Sequence, residues 1–225
     1  MDIKKTGVVG CGLMGSGIAE TVARAGYEVV VSEVNDELLQ KGLGRVKASM
    51  TKAVDRGKLQ QADMEAALSR ITGTTRMEDF ADCDLVIEAA IENLDLKKQI
   101  FAELDRITPP HAILASNTSS LSITAMAAAT KRPDKVLGLH FFNPVPVMPL
   151  LEMVRTILVS EETFETAREF GKSLGKTIIV AKDNPGFIVN RLLPADLLDC
   201  VRALENGVGS KEDIDTGIKL GLSHP

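Results

Sequence analysis

The chain is short of the residues that would tie it to a metal, a membrane or a nucleic acid. It has three cysteines, and Cys11, Cys83 and Cys200 are far apart. An odd, scattered set excludes a disulfide framework and offers no zinc-binding spacing. The expected compartment is therefore reducing and cytoplasmic, and no metal site is expected. No apolar run approaches the roughly 20 residues that cross a bilayer. Met1 to Thr6 leads straight into a strand and lacks the apolar stretch of a signal peptide. A net charge of −5 leaves no basic surface for nucleic acid or anionic lipid. Histidine is scarce too: His111, His140 and His224 are all there are. The remaining composition, 44% hydrophobic and 25% charged over 225 residues, is that of a globular protein of one large or two modest domains. No repeat or low-complexity tract interrupts it.

Local patterns alternate between strand and helix. Gly7 to Gly10 reads as a short buried strand, and Leu13 to Arg24 as a helix stopped by Gly26. Tyr27 to Glu33 is β-branched and reads as a second strand. Asn35 and Asp36 then cap a long helix reaching about Arg56. Ala62 to Ser69 is a short helix. Asp84 to Glu88 predicts a strand, and Leu94 to Arg106 a charged amphipathic helix that Pro109 and Pro110 stop. Further strands are predicted at His111 to Ser116, Lys135 to Phe141, Pro149 to Val154 and 176–181; helices are predicted at Leu121 to Ala129 and 161–174. This alternation predicts an α/β fold with a Rossmann-type, doubly wound, mostly parallel sheet. After Asp183-Asn184-Pro185-Gly186 only helical patterns remain. Residues 1–184 are expected to form this Rossmann-type domain, and 185–225 the start of an all-helical second domain.

Gly10-Cys11-Gly12-Leu13-Met14-Gly15 lies between the first strand and the first helix. The first glycine permits the tight turn, the second lets a pyrophosphate approach the backbone, and the third lets helix and strand pack closely. The helix N-terminus adds N–H groups and partial positive charge. The pattern alone is weak, and a plain tight turn would also produce it. Glu33 strengthens it, because it ends the second strand roughly 20 residues on, where an acid binds the adenosine ribose. No lysine or arginine lies in Ser32 to Leu39 to meet a 2′-phosphate, which favours NAD over NADP.

Gly138 to Arg155 places His140 at the end of one apolar run and Glu152 inside the next, with Pro144 and Pro146 stiffening the turn between them. Alone, His140 would more often be a satisfied core histidine. A carboxylate on one ring nitrogen fixes the tautomer and makes the other nitrogen a better base. Asn143 lies in the same turn. Ser116-Asn117-Thr118-Ser119-Ser120 forms another polar loop at the carboxyl edge of the sheet, where open α/β sheets bind ligands. Ser120 could simply cap the next helix, which leaves Asn117 and Ser119 for another purpose.

Four motifs now occur in order: Gly10-x-Gly12-x-x-Gly15-x-Gly17-Ile18-Ala19, Ser116 to Ser120, His140-Phe141-Phe142-Asn143-Pro144-Val145-Pro146, and Pro185-Gly186-Phe187-Ile188-Val189-Asn190-Arg191. Together they resemble the L-3-hydroxyacyl-CoA dehydrogenase family, in particular its bacterial 3-hydroxybutyryl-CoA members, over essentially the whole chain. The resemblance implies NAD-dependent, reversible oxidation of a short-chain (S)-3-hydroxyacyl-CoA. His140 would be the general base and Glu152 its orienting partner, with Ser119 and Asn190 holding substrate oxygens. Gly10, Gly12, Leu13, Met14, Gly15, Glu33, Glu92, Lys97, Asn117, Ser119 and Asn143 would surround the cofactor. Ser49, Lys52 and Arg56, spaced along one face of the long helix, would meet the CoA moiety together with Ser119. A homodimer through the helical domain is implied. Family chains continue beyond Pro225, so the helical domain is expected to be incomplete, and Pro194 sits one position early in its first helix. Two other readings stay open: a related dehydrogenase of a hydroxyacid without CoA, and a non-catalytic NAD-binding protein of the same fold.

Overall fold

A computed structural model describes residues 2–224. The elements run β1 (Lys5–Val9), α1 (Leu13–Arg24), β2 (Glu28–Ser32), α2 (Asp36–Asp55), α3 (Gln61–Ser69), β3 (Ile71–Thr74), β4 (Leu85–Glu88), α4 (Leu94–Ile107), β5 (Ile113–Ser116), α5 (Ile123–Ala127), β6 (Val136–Phe141), β7 (Leu150–Arg155), α6 (Glu161–Ser173), β8 (Thr177–Lys182), α7 (Val189–Glu205) and α8 (Lys211–Gly221). The chain divides into two compact units, Met1–Asn184 and Pro185–Pro225.

In the first unit the strands form one eight-stranded sheet in the order β3-β2-β1-β4-β5-β6-β7-β8. All neighbours are parallel except β6 and β7, which are antiparallel. β4, β5 and β6 are buried along their whole length. Strands covered on both faces carry continuous rather than alternating apolar residues, which is why Leu85-Val86-Ile87 and Ile113-Leu114-Ala115 read as they do. Side chains start the helices locally: Asn35, Asn93 and Ser160 accept from the backbone N–H of Leu38, Leu96 and Thr163 at the heads of α2, α4 and α6.

β3 is an element the sequence reading lacked. Ile71-Thr72-Gly73-Thr74 has one aliphatic residue and no alternation, so nothing local marks it. Tertiary packing selects it: it extends the sheet beside β2, and a Cβ on Gly73 would press at 3.0–3.2 Å on Leu39 and Leu43 of α2.

The second unit holds α7 and α8. α7 stays continuous through Pro194. Neither helix has a fully buried residue, and Leu192, Leu197, Leu198, Val201 and Leu204 are exposed along α7. Among the described residues no helix is long and apolar enough to cross a membrane, and no group of His, Cys, Asp and Glu could hold a metal ion.

Candidate active site

Strand pairing aligns one row of residues near the carboxyl edge of the sheet: Ser32, Val9, Glu88, Ser116, Gly138 and Val154. The polar loops begin just beyond it. Gly10 follows Val9 with φ +93, and its N–H donates to the Ser32 carbonyl at 2.9 Å. A Cβ on Gly15 would lie 1.8 Å from the Gly10 carbonyl oxygen, so α1 can start this close only with glycine there. Gly12 is the N-cap of α1; no side chain caps it, no acid sits in the first turn, and nothing lies within 4 Å of a Cβ built on it. First-turn N–H groups have no intrahelical carbonyl to bond, so this uncapped, open end fits a pyrophosphate. Leu13 is exposed and Met14 half-buried beside it.

Glu33 has a structural task that its motif position did not reveal. Its Oε1 accepts from Cys11 N and its Oε2 from Val34 N, both at 3.0 Å, which ties the end of β2 to the glycine turn. Burial pushes the Cys11 thiol up to about 11, with the Glu33 charge adding to the shift and Arg45 opposing it. Cys11 therefore stays a neutral filler.

A buried ion cluster lies beneath the Ser119 loop. Lys97 is 1% exposed, and its ammonium donates to Glu88 Oε1 at 2.6 Å and to the Ala90 carbonyl at 3.2 Å. Glu92 Oε2 stands 3.4 Å from the same ammonium. Ser119 N donates to Glu92 Oε1 at 2.9 Å, Ser119 Oγ reaches it at 3.3 Å, and Thr118 Oγ1 binds both Glu92 oxygens at 2.9 Å. Lys97 thus has its charge spent inside the protein, and Glu92 is the member that reaches solvent. Glu88, fully buried at the end of β4, was missed as a site residue. Strand order brings it beside Ser116, and Lys97 reaches it from the helix that follows β4.

His140 and Glu152 are direct partners in the β6–β7 register. His140 Nδ1 lies 2.9 Å from Glu152 Oε2, with the histidine 5% and the glutamate 0% exposed. The Phe142 ring packs 4.5 Å from the imidazole, centroid to centroid. Asn117, at the end of β5, accepts from Phe141 N at 2.9 Å, which fastens its loop to the strand carrying His140. Asn143 is exposed in the following turn. That turn is held by Lys176, whose buried ammonium donates to the Val145 and Met148 carbonyls at 2.6 and 2.8 Å.

The three expected CoA residues are not equivalent. Ser49 lines a cavity of about 280 Å³ with Ser16, Glu20, Asn143 and Val145, between α1, α2 and the Asn143 turn. Lys52 and Arg56 lie outside it and are exposed, Arg56 as the C-cap of α2. Asn190 stands in the first turn of α7, in the second unit.

A sheet edge with a glycine turn over one half and a histidine–carboxylate pair over the other suits a dehydrogenase that uses a dinucleotide. Residues 5–184 match the family described as 3-hydroxyacyl-CoA dehydrogenase, NAD binding domain, and residues 186–225 match 3-hydroxyacyl-CoA dehydrogenase, C-terminal domain. The chain is 49% identical over 225 residues to 3-hydroxybutyryl-CoA dehydrogenase of Mycobacterium tuberculosis, covering 99% of this chain and 79% of that protein. It is 45% identical over 229 residues to human mitochondrial hydroxyacyl-coenzyme A dehydrogenase, covering 99% and 73%. The crystal structure of (S)-3-hydroxybutyryl-CoA dehydrogenase from Ralstonia eutropha matches with a TM-score of 0.97 at 45% identity, covering 100% of this chain and 79% of that one. The chain belongs to the 3-hydroxyacyl-CoA dehydrogenase family, and residues 5–184 are its NAD-binding domain.

Proposed function

We propose that the protein catalyses reversible, NAD-dependent oxidation of short-chain (S)-3-hydroxyacyl-CoA, with 3-hydroxybutyryl-CoA as the leading substrate, to the 3-ketoacyl-CoA. The observation that carries the reading is the 2.9 Å contact between His140 and Glu152, at the sheet edge that also holds the glycine turn. When bound, NAD supplies the acceptor for the hydride leaving C3. His140 takes the hydroxyl proton at a ring nitrogen. Glu152 holds Nδ1 and offsets the charge that forms on the ring; a base placed in this way contributes on the order of 10²–10⁴ in rate. Ser119 orients the C3 oxygen, and Asn143 and Asn117 support the pocket wall. Glu33 takes the adenosine ribose. Ser49 holds the CoA chain from the cavity wall, while Lys52 and Arg56 meet its phosphates from exposed positions.

A cytoplasmic location and a homodimer built through the helical domain, which begins at residue 185, belong to the same reading. The likeness to 3-hydroxybutyryl-CoA dehydrogenases supports the substrate class.

The test measures NADH oxidation with acetoacetyl-CoA and with acetoacetate in parallel. Turnover of the thioester alone is expected. Turnover of the free acid alone would move the function to a hydroxyacid dehydrogenase. NAD binding with turnover of neither would make the protein a non-catalytic NAD binder.

A further inference from the structure

The proton and hydride chemistry above makes no use of the charge on the Glu88–Lys97–Glu92 cluster, although that charge is unbalanced. Glu88 accepts from three donors: Lys97 Nζ at 2.6 Å, Ala90 N at 2.7 Å and Ser116 Oγ at 2.6 Å. Ser116 Oγ is itself taken as acceptor by Thr118 N at 3.1 Å, so its proton points at Glu88. Surrounded by donors, Glu88 is a carboxylate. Burial pushes the Glu92 carboxyl up, but the Ser119 N–H, the Lys97 charge and Thr118 outweigh it and hold the group below its usual range. Two carboxylates therefore share one ammonium, and the cluster is left with one negative charge at neutral pH. The Glu92 side chain is 46% exposed, so the excess charge faces outward at the carboxyl edge.

Its location on the sheet gives that charge a target. Glu33 and the Glu88 cluster lie on opposite sides of β1, at the ends of β2 and β4. A dinucleotide that crosses the Gly10 turn with its adenosine at Glu33 extends its other half over β4 and β5. There the reacting ring differs between its two states by a full charge: oxidised nicotinamide is a cation and the reduced ring is neutral. Held by backbone and side-chain donors on every oxygen, the cluster cannot reorganise to cancel its excess charge.

We propose that this cluster, through the Glu92 carboxylate, selects the oxidised over the reduced cofactor and so raises the share of sites loaded with NAD+. The inference rests on the dinucleotide reading of the glycine turn. Lys97 and Glu88 act as positioning residues: they fix Glu92 and, through it, the Ser119 loop.

The experiment measures Kd for NADH by fluorescence titration and Kd for NAD+ by displacement of NADH. Glu92→Gln removes the charge and keeps an oxygen to accept from Ser119 N. Its ratio Kd(NAD+)/Kd(NADH) is expected to rise about tenfold, through weaker NAD+ binding, which corresponds to about 1.4 kcal/mol. Glu92→Asp retains the charge and the wild-type ratio to within about threefold. Glu33→Gln, on the adenosine side, weakens both forms alike. A measurement on the unaltered protein is independent of folding in the variants: raising salt from about 0.01 to 1 M screens a half-exposed charge, and the wild-type ratio should rise severalfold. Equal loss of both affinities in Glu92→Gln, or a ratio unmoved by salt, overturns the proposal and leaves Glu92 a loop-packing residue. Failure of the unaltered protein to bind either form overturns the dinucleotide reading as well, which is a separate result.

Discussion

Replacing Glu152 with glutamine isolates the charge of the pair from its geometry. The glutamate is fully buried and sits opposite His140 in the β6–β7 register, with Oε2 2.9 Å from Nδ1. Glutamine has the same length and keeps an oxygen that can accept from that nitrogen. What disappears is the negative charge that, in the proposed mechanism, opposes the imidazolium formed when the hydroxyl proton arrives. A hydrogen bond to a charged group contributes about 1.5–3 kcal/mol against about 1 for a neutral one. The loss is the difference between the two, and in a site this buried it should fall near the top of that difference, about 1.4–2 kcal/mol. The expected decrease in kcat is about 10–30-fold. NADH affinity should stay within about threefold, because neither residue belongs to the glycine turn. The assay is steady-state NADH absorbance on Glu152→Gln, His140→Gln and the double variant, with binding titrations alongside. If the two residues act as one unit, the double variant loses no more than His140→Gln alone. Independent, additive losses would refute the reasoning, as would a Glu152→Gln enzyme within fivefold of wild type.

The glycine turn makes a paired prediction. Gly15→Ala puts a methyl 1.8 Å from the Gly10 carbonyl oxygen and should lower the melting temperature and abolish NADH binding together. Gly12→Ala has open space around the new methyl, so its melting temperature should match wild type while NADH affinity falls; equal melting losses in both would disprove the distinction. The thiols differ as well: burial pushes Cys83 up to about 12 and Cys11 up to about 11. Peptide mapping after iodoacetamide treatment at pH 8 should find Cys200, the one not fully buried, alkylated and the other two intact; early modification of Cys11 would show that the turn opens in solution.

How far the site could be read from sequence depended on how local each feature was. The cap at Asn35 and the Gly10–Gly15 turn involve neighbours within a few residues, so residue type and spacing were enough. Glu92 and Lys97 entered through a family likeness, but their geometry was hidden, because Lys97 turns inward to Glu88 and leaves Glu92 outside. Asp183 was read only as part of a linker. Its carboxylate accepts from Ile123 N at 3.0 Å and Thr124 N at 2.6 Å, capping α5 from far along the chain. No spacing rule reaches that distance. β3 escaped for the opposite reason: its own residues carry almost no signal, and its neighbours in the sheet define it.

Taken alone, the amino-acid order settled the alternation of strands and helices, the glycine turn with its acid at Glu33, and the change to helices after residue 184, because backbone sterics, capping and apolar periodicity act over short stretches. Strand order and register were decided by tertiary structure. Those two quantities put His140 across from Glu152 and Glu88 beside Ser116. A register slip of one residue would turn every such side chain to the other face of the sheet. Burial of the whole apolar core selects against that slip, and no short stretch of chain contains that information.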